Sequence, residues 1–200
     1  QNFLVDQNII NKIINIVEIT DNEILEVGPG KGSLTREILK NEPSKMYLVE
    51  KDNFLAKSLK EQLDNKVMIF NEDILNFNEN LLSDKNLIVF GNLPYNISTE
   101  ILSKWITNLK NDYWFSDLIL MFQKEVADRI IAQFNTSAYG RLSILSNWKL
   151  NIKKICDIPP ECFSPKPKIQ STLIHFTPKK DFAKIKDPIN LEKITRTFFN

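Results

Sequence analysis

The chain has 200 residues, of which 42% are hydrophobic, and its 26 Lys and Arg residues nearly balance its 25 Asp and Glu residues. This length suits one globular domain with some residues to spare. It contains no run of 18 consecutive apolar residues and no basic-then-apolar leader, so we expect a soluble, cytoplasmic protein without a membrane span. Cys156, Cys162 and the single histidine, His175, do not form a metal-ligand pattern, so we expect two free thiols and no metal.

The charge is distributed unevenly along the chain. Nine lysines and three acidic residues lie between Lys149 and Lys186, which gives this stretch a charge of +6 and leaves about −5 for the rest. A solvated surface is the usual role of a lysine-rich stretch. The alternative is an edge that faces a polyanion such as RNA.

Strands alternate with helices along most of the sequence, which predicts an α/β fold with a doubly wound, mostly parallel sheet. We predict strands at 23–27, 46–49, 67–70, 87–90, 118–122, 151–158 and 169–176, and helices at 7–17, 33–39, 53–63, 98–109, 124–134 and 141–148. Asp6 and Asp52 are predicted N-caps, as is either Ser98 or Thr99, and Gly91 is predicted to end the fourth strand. The last two strands have no helix between them, so we expect an antiparallel hairpin at one edge of the sheet.

A polar turn follows the buried strand at 87–90. Asn92 supplies an amide, Pro94 a rigid carbonyl, and Tyr95 a flat aromatic face. In open α/β sheets, ligands bind at the carboxyl ends of the strands. This set of groups suits a nucleobase, because it can accept hydrogen bonds from an exocyclic amine and stack on a ring. The alternative is an ordinary βα loop.

A glycine-rich loop, Gly28–Gly32, lies between the first of these strands and its helix. Its G-x-G-x-G pattern differs from the dinucleotide G-x-G-x-x-G, and the preceding acid, Glu26, suits a ligand that carries a cation or an amino acid. Glu50 ends the second strand, where an acid can accept two ribose hydroxyls, and Asp73 follows the third, where it can receive a base amine. Each acid alone is more simply an N-cap or turn residue. Together they predict a site for S-adenosylmethionine.

Six segments resemble the ribosomal RNA adenine dimethyltransferase family, and the resemblance covers nearly the whole chain. They are Gln1–Leu4, Glu26–Gly32, Gly91–Thr99, Gln123–Arg129, Tyr139–Ser143 and Phe163–Lys168. The sister family of macrolide-resistance methyltransferases, which modify large-subunit RNA, shares the Asn-x-Pro-Tyr and Phe-x-Pro-x-Pro loops but tends to lack three of the other motifs. We therefore favour the bacterial housekeeping enzyme of the small subunit, although Gln170 stands where that family usually has Asp.

The resemblance implies a Rossmann-like class I methyltransferase domain at 1–179, followed at 180–200 by the start of a small helical C-terminal domain that is cut off. It implies dimethylation of N6 of two adjacent adenosines near the 3′ end of small-subunit rRNA, within an immature ribosomal subunit. We expect the protein to act as a monomer. The implied contacts to S-adenosylmethionine are Asn2, Leu4, Gly28, Glu50, Asp73 and Asn92.

For catalysis, we expect the Asn92 side-chain oxygen and the Pro94 carbonyl to accept the two N–H bonds of the target amine. We expect Tyr95 to stack on one face of the flipped base and Phe163 to cover the other, although Phe163 can instead be a core residue. Salt-dependent contacts to the RNA backbone are assigned to Lys153, Lys154, Lys166, Lys168 and Arg141.

Three alternative functions share parts of this pattern. A macrolide-resistance methyltransferase would act on large-subunit rRNA. A DNA adenine methyltransferase uses the same Asn-x-Pro-Tyr chemistry, but the chain has no room for a target-recognition domain. A ribosome-assembly factor that works mainly by binding is also compatible with the sequence.

Overall fold

The computed structural model describes residues 2–64, 66–109 and 113–199. Gln1, from the first family segment, and Asn200, at the end of the expected second unit, lie outside these ranges. None of the helices in the described part of the chain is both long and apolar enough to cross a membrane.

The described residues form a seven-stranded sheet and a separate two-stranded sheet. The strands are β1 (Phe3–Leu4), β2 (Glu23–Val27), β3 (Lys45–Val49), β4 (Val67–Phe70), β5 (Leu87–Asn92), β6 (Phe115–Gln123), β7 (Leu150–Ile158), β8 (Phe163–Ser164) and β9 (Ser171–Pro178). The order in the large sheet is β4-β3-β2-β5-β6-β9-β7. Strands β2 to β6 are mutually parallel, whereas β9 pairs antiparallel with both β6 and β7. The predicted α/β class and the antiparallel edge hairpin are therefore confirmed.

Helices cover both faces of the large sheet. They are α1 (Gln7–Ile14), α2 (Ser33–Leu39), α3 (Asn53–Gln62), α4 (Ser98–Asn108), α5 (Lys124–Ile130), α6 (Arg141–Lys149) and α7 (Pro188–Phe198), with short 3₁₀ turns at Glu79–Leu81 and Pro160–Cys162. Side chains alternate between the two faces of a strand, so Leu25 and Val27 join one buried cluster and Ile24 joins the other. Strands buried on both faces explain why the central segments are almost continuously apolar.

The order of the strands reverses between β2 and β5, and this reversal positions the functional site. From β2 the chain moves outward to β3 and β4, and then returns to place β5 on the other side of β2. The register aligns Val27 at the end of β2 with Gly91 near the end of β5. The loops that follow these two strands must therefore lie side by side, as at the switch points where α/β proteins bind ligands.

The N-terminal segment is ordered by a contact that is distant in sequence. Phe3 and Leu4 pair antiparallel with Ser164 and Phe163. The backbone N–H groups of Val5 and Asp6 then donate to the carbonyl of Cys162. None of our predicted strands includes this segment. Strand pairing across about 160 residues leaves no local signal in the sequence.

Gly91 does not end its strand, contrary to our prediction. It pairs with Val27 on one side and with Leu120 on the other, and β5 continues to Asn92. The glycine makes room for two leucine side chains, because a Cβ atom here would lie 2.8 Å from Cδ2 of Leu93 and 3.0 Å from Cδ2 of Leu120, and these would have to move.

Three helix boundaries also differ from the prediction. Ile97, not Ser98 or Thr99, is the N-cap of α4, and the Ser98 hydroxyl instead donates to the Tyr95 carbonyl. Helix α1 ends at Ile14, before the predicted residue 17, and the side chain of the C-cap Asn15 bonds back to the Asn11 carbonyl. Helix α5 ends at Ile130, well before residue 134.

The two aspartate caps are confirmed. An Asp6 side-chain oxygen accepts from the Ile9 N–H at 2.9 Å, and Asp52 accepts from the N–H groups of Phe54 and Leu55. Each carboxylate satisfies backbone donors that the first turn of a helix leaves without partners.

We predict that Asp6→Ala lowers the free energy of unfolding by about 1 kcal/mol, because the first turn of α1 loses its acceptor. Urea denaturation at neutral pH measures this change. Asp6→Asn is the matched control, since its side-chain oxygen can still cap the helix and most of the stability should remain. Equal losses in the two variants would contradict the capping role.

Candidate functional site

A cavity of about 920 Å³ opens at the carboxyl ends of β2, β3, β4 and β5. This volume lies within the range of about 300–1,000 Å³ that is typical of small-molecule sites. Its lining consists of Asn2, Val27, Gly28, Val49–Phe54, Glu72–Ile74 and Asn92–Ile97. Seven of the predicted site residues are thus brought together: Asn2, Gly28, Glu50, Asp73, Asn92, Pro94 and Tyr95.

Glu50 is held rigidly at the end of β3. It is only 4% exposed, and its two carboxylate oxygens accept hydrogen bonds from the Gly30 N–H at 3.1 Å and the Asp52 N–H at 2.9 Å. A carboxylate has about four acceptor positions, so one position on each oxygen remains for a ligand. A pair of neighbouring hydroxyl groups, as on a ribose, matches this arrangement.

Asp73 lies across the cavity from the glycine-rich loop and is also oriented. One oxygen accepts from the Leu75 N–H at 3.0 Å, and the other is 2.8 Å from the Lys51 ammonium. The hydrogen bond from Lys51 holds the pKa of Asp73 below its usual value. Asp73 is therefore an ionised acceptor at neutral pH, as a role in receiving a base amine requires.

Gly28 lies where the two central loops approach most closely. Its φ of +69° belongs to the left-handed region that favours glycine, and an added Cβ would lie 3.4 Å from the backbone carbonyl oxygen of Asn92. The Gly28 N–H donates to the Val49 carbonyl at 3.0 Å. A ligand in the cavity can therefore contact the Gly28 backbone, which a side chain would otherwise cover.

Glu26 lies beside a smaller cleft that shares Gly28 and Asn92 with the large cavity. Its carboxyl group is 3% exposed and accepts a hydrogen bond from the Thr35 hydroxyl at 2.6 Å. Burial raises the pKa of Glu26 to about 7; the Thr35 hydrogen bond acts in the opposite direction, and the charge of Glu50 adds to the increase. A cation bound in this cleft would favour the ionised form.

The Asn92 side chain is oriented by the N-terminal segment. Its Nδ2 donates to the backbone carbonyl of Asn2 at 2.9 Å. This bond leaves Oδ1 as the free acceptor, since no donor to Oδ1 is found among the described residues. The predicted role of Asn2 as a contact residue thus gains a second part, which is to set the direction of the Asn92 amide.

Pro94 and Tyr95 complete the turn. The Pro94 carbonyl accepts the Ile97 N–H at 3.1 Å and keeps a second lone pair. Tyr95 is partly buried, and its hydroxyl oxygen lies 2.6 Å from Oγ of Ser171 on β9. The aromatic ring therefore forms part of the cavity wall and is fixed at its far end.

Leu4 and Phe163 lie outside the large cavity. Leu4 lines the smaller cleft, whereas Phe163 is 3% exposed and belongs to the buried cluster beneath the N-terminal segment. The pairing of β1 with β8 sets Phe163 opposite Leu4. The structure does not bring Phe163 to the other aromatic residue of the site, and its stacking on a target base stays a prediction.

Three of the five predicted RNA-contacting residues form ion pairs within the protein. Lys154 pairs with Asp157, Lys166 with Glu161, and Arg141 with Glu192. The other two, Lys153 and Lys168, are exposed and form no ion pair within the described ranges.

Several residues of the site were missed from the sequence. Lys51, Asn53 and Phe54 line the cavity directly after Glu50, and Phe54 is 79% exposed. Their position just after a strand end was the available signal. Ser171 had no local signal, because its contact with Tyr95 spans 76 positions.

Among the described residues, no group of three or more His, Cys, Asp and Glu side chains is arranged to hold a metal ion. Cys156 and Cys162 are both free thiols, as predicted.

The chain matches the sequence model of the family described as "Ribosomal RNA adenine dimethylase" over residues 1–200. It is 62% identical over its whole length to the "Ribosomal RNA small subunit methyltransferase A" of Pelagibacter ubique, and the match covers 76% of that protein. The protein of the same description from Cereibacter sphaeroides is 37% identical, and the match covers all of this chain and 73% of the relative.

Two solved structures have similar folds. A dimethyladenosine transferase from Plasmodium falciparum is 27% identical, with a TM-score of 0.78 over 89% of this chain and 64% of that one. The 23S rRNA methyltransferase ErmE is 24% identical, with a TM-score of 0.75 over 98% of this chain and 78% of that one. At this identity, the second likeness supports the fold alone.

Glu26 provides a pH-dependent test of the site. Between pH 4.5 and about 7 the folded protein holds a proton on this carboxyl that the unfolded chain has already lost. The free energy of unfolding should therefore fall across this window, by roughly 3 kcal/mol at most, and Glu26→Gln should remove the decline. Urea denaturation at a series of pH values measures it.

The matched control is Glu23→Gln, on the same strand. Burial raises the pKa of Glu23, but hydrogen bonds from Ser83, Lys45 and Tyr47 outweigh it and the pKa is lowered. Glu23 therefore stabilises the protein above its unfolded pKa, and its loss should destabilise the fold at pH 8. If the free energy of unfolding changes with pH equally in the wild type and in Glu26→Gln, the decline does not come from Glu26 and the assignment is wrong.

Proposed function

Because the chain belongs to the ribosomal RNA adenine dimethylase family, we propose that it dimethylates N6 of two adjacent adenosines near the 3′ end of small-subunit rRNA. The observation that carries the proposal is the Asn92 amide in the cavity lining, whose nitrogen donates to the Asn2 carbonyl at 2.9 Å and so leaves its oxygen as the acceptor. An acceptor at this point suits the amine of an adenine.

Support for the small subunit as the substrate comes from the relatives described as small-subunit methyltransferases, which are 62% and 37% identical to this chain. The macrolide-resistance alternative has weaker support, since the large-subunit methyltransferase ErmE is 24% identical and argues for the fold alone. A role in small-subunit biogenesis accompanies the proposed activity. An enzyme that binds an immature subunit can also act as an assembly checkpoint, so the binding-factor alternative and the catalytic proposal can both hold.

The cavity fits S-adenosylmethionine as the methyl donor. Glu50 presents two oriented oxygens to the ribose hydroxyls, and ionised Asp73 accepts the amine of the adenine. Glu26, beside the smaller cleft, suits the amino-acid end, where it would pair with the ammonium group. When bound, S-adenosylmethionine supplies an electrophilic methyl group on a positively charged sulfur.

The target adenine is placed by the turn after β5. Its amine is a weak nucleophile, because the nitrogen lone pair is delocalised into the ring. Asn92 Oδ1 and the remaining lone pair of the Pro94 carbonyl accept its two N–H bonds, which favours a pyramidal nitrogen and directs its lone pair toward the methyl group. Positioning and electrostatic stabilisation then supply the acceleration, while Tyr95 supports the face of the flipped base.

This chemistry does not call for a strong general base. His175, the single histidine, lies outside the cavity lining and has its Nε2 2.7 Å from the Asp117 carboxylate. Removal of the proton after methyl transfer can be left to solvent, because the nitrogen that has gained a methyl group carries a positive charge and is far more acidic than a neutral amine.

The proposed partner is small-subunit rRNA within an immature subunit, which the protein meets in the cytoplasm as a monomer. Lys153 and Lys168 are the best candidates for backbone contacts, because they are exposed and, unlike Lys154 and Lys166, form no ion pair within the described ranges. We propose residues 1–179 as the methyltransferase domain. Residues 180–200, which include helix α7, are proposed as the start of a helical C-terminal domain.

Asn92→Ala should reduce methyl transfer at least a hundredfold, because the amine loses its principal acceptor. The measurement is mass spectrometry of rRNA nucleosides after immature small subunits and, in a parallel reaction, large subunits are incubated with the enzyme and labelled cofactor. Calorimetry with S-adenosylhomocysteine is the internal control, and the affinity should change little. Near-normal turnover would exclude the Asn92 role, and label in large-subunit RNA instead would exclude the proposed substrate.

Glu50→Ala should weaken cofactor binding at least tenfold, since two charge-assisted hydrogen bonds are lost. Calorimetry measures the dissociation constant, and thermal unfolding shows whether the variant is folded. Glu61→Ala removes an exposed carboxylate from α3 and should leave the affinity unchanged. If both variants bind as the wild type does, Glu50 does not hold the ribose.

A further inference from the structure

We propose that Ser171 is a positioning residue for methyl transfer, acting through its hydrogen bond to Tyr95. The bond holds the aromatic ring in the orientation on which the target adenine stacks. The proposal rests on the function proposed above and adds to it a residue that lies outside the cavity.

Ser171 is well suited to be an anchor. It is fully buried, at 0% exposure, and it begins β9 between two other strands. Its backbone is paired with Gln123 of β6 and with Ile158 of β7. A hydroxyl held by a strand with neighbours on both sides has little freedom to move.

Tyr95 needs such an anchor. It follows Pro94 in a turn between β5 and α4, so regular backbone hydrogen bonding does not fix it as it fixes a strand residue. The ring can rotate only around its two side-chain torsion angles. The 2.6 Å contact between the Tyr95 hydroxyl and Ser171 restrains the end of the ring farthest from the backbone. The ring plane is then set by the sheet rather than by the turn.

The position of the ring matters because the reaction depends on alignment. A displacement of about 1 Å in a reacting geometry can cost about a hundredfold in rate. Without the Ser171 hydroxyl, the Tyr95 hydroxyl loses its partner and the ring can tilt toward water in the cavity. The target amine would then spend less time in line with the methyl group, while the cofactor pocket around Glu50 would be unchanged.

The test is a double-mutant cycle. Ser171→Ala, Tyr95→Phe and the double variant each remove the same hydrogen bond, and all three keep the aromatic ring. Each should lower kcat on immature small subunits about tenfold, while the affinity for S-adenosylhomocysteine stays within twofold of wild type. The double variant should be no worse than either single variant, because only one interaction is lost.

Thr172→Val is the matched control. Thr172 is equally buried, is the next residue on the same strand, and donates through Oγ1 to Asp157 at 2.7 Å. Neighbouring residues on a strand face opposite sides, so this variant removes a buried hydroxyl without touching Tyr95. Its kcat should remain close to wild type.

The outcomes separate the two proposals. A near-normal kcat for Ser171→Ala, or losses that multiply in the double variant, would overturn the positioning role while the wild type remains active. A loss of cofactor affinity equal to the loss of kcat would also overturn it, because it would indicate general damage to the fold. If the wild type transfers no methyl group to small subunits, the proposed function itself fails.

Discussion

The site depends on one constraint, which is the parallel register of β2 against β5. This register aligns Val27 with Gly91, so the loops that follow the two strands leave the sheet at the same level. Gly28 can then approach the Asn92 backbone to a distance that a side chain would fill. Both loops line the cavity proposed to hold the methyl donor and the acceptor amine, and a shift of register would move one loop relative to the other.

The N-terminal segment closes the site from the other side. Its pairing with β8 places the Asn2 carbonyl against the Asn92 amide, so two parts of the chain 90 residues apart determine which atom of that amide is left as an acceptor. The same pairing buries Phe163 against the core. The residues that orient the site are thus held by a few contacts between residues that are far apart in the sequence.

This difference in contact range explains what the sequence could predict. Glu50 and Asp73 were predictable, because each follows an apolar strand and strand ends converge in a parallel sheet. Asn92, Pro94 and Tyr95 were predictable from their own turn. The burial of Phe163 and the anchor at Ser171 were not, because both depend on strand pairings that bring distant segments together.

The net charge of the lysine-rich stretch was also an incomplete guide to the protein surface. The lysine-rich stretch begins with Lys149, which is 2% exposed and donates to the carbonyls of Ile106 and Leu109 at the end of α4. Burial lowers the pKa of this lysine. It stabilises the end of a helix and contributes nothing to an RNA-facing surface, so the net charge of a segment overstates the charge that a polyanion can meet.

The two buried acids next to the glycine-rich loop show how such a site balances function against stability. Glu50 receives two backbone N–H groups, and these fix the direction of its oxygens. Within the described ranges, the Thr35 hydroxyl is the only donor to Glu26, so without a ligand the ionisation of Glu26 is opposed by burial and by the charge of Glu50. The protein thus keeps a carboxyl group whose charge is unfavourable until a cation arrives. In the proposed site, that cost is the expected consequence of arranging negative charge in advance for a positively charged ligand, and an acid rather than an amide before the glycine-rich loop fits this role.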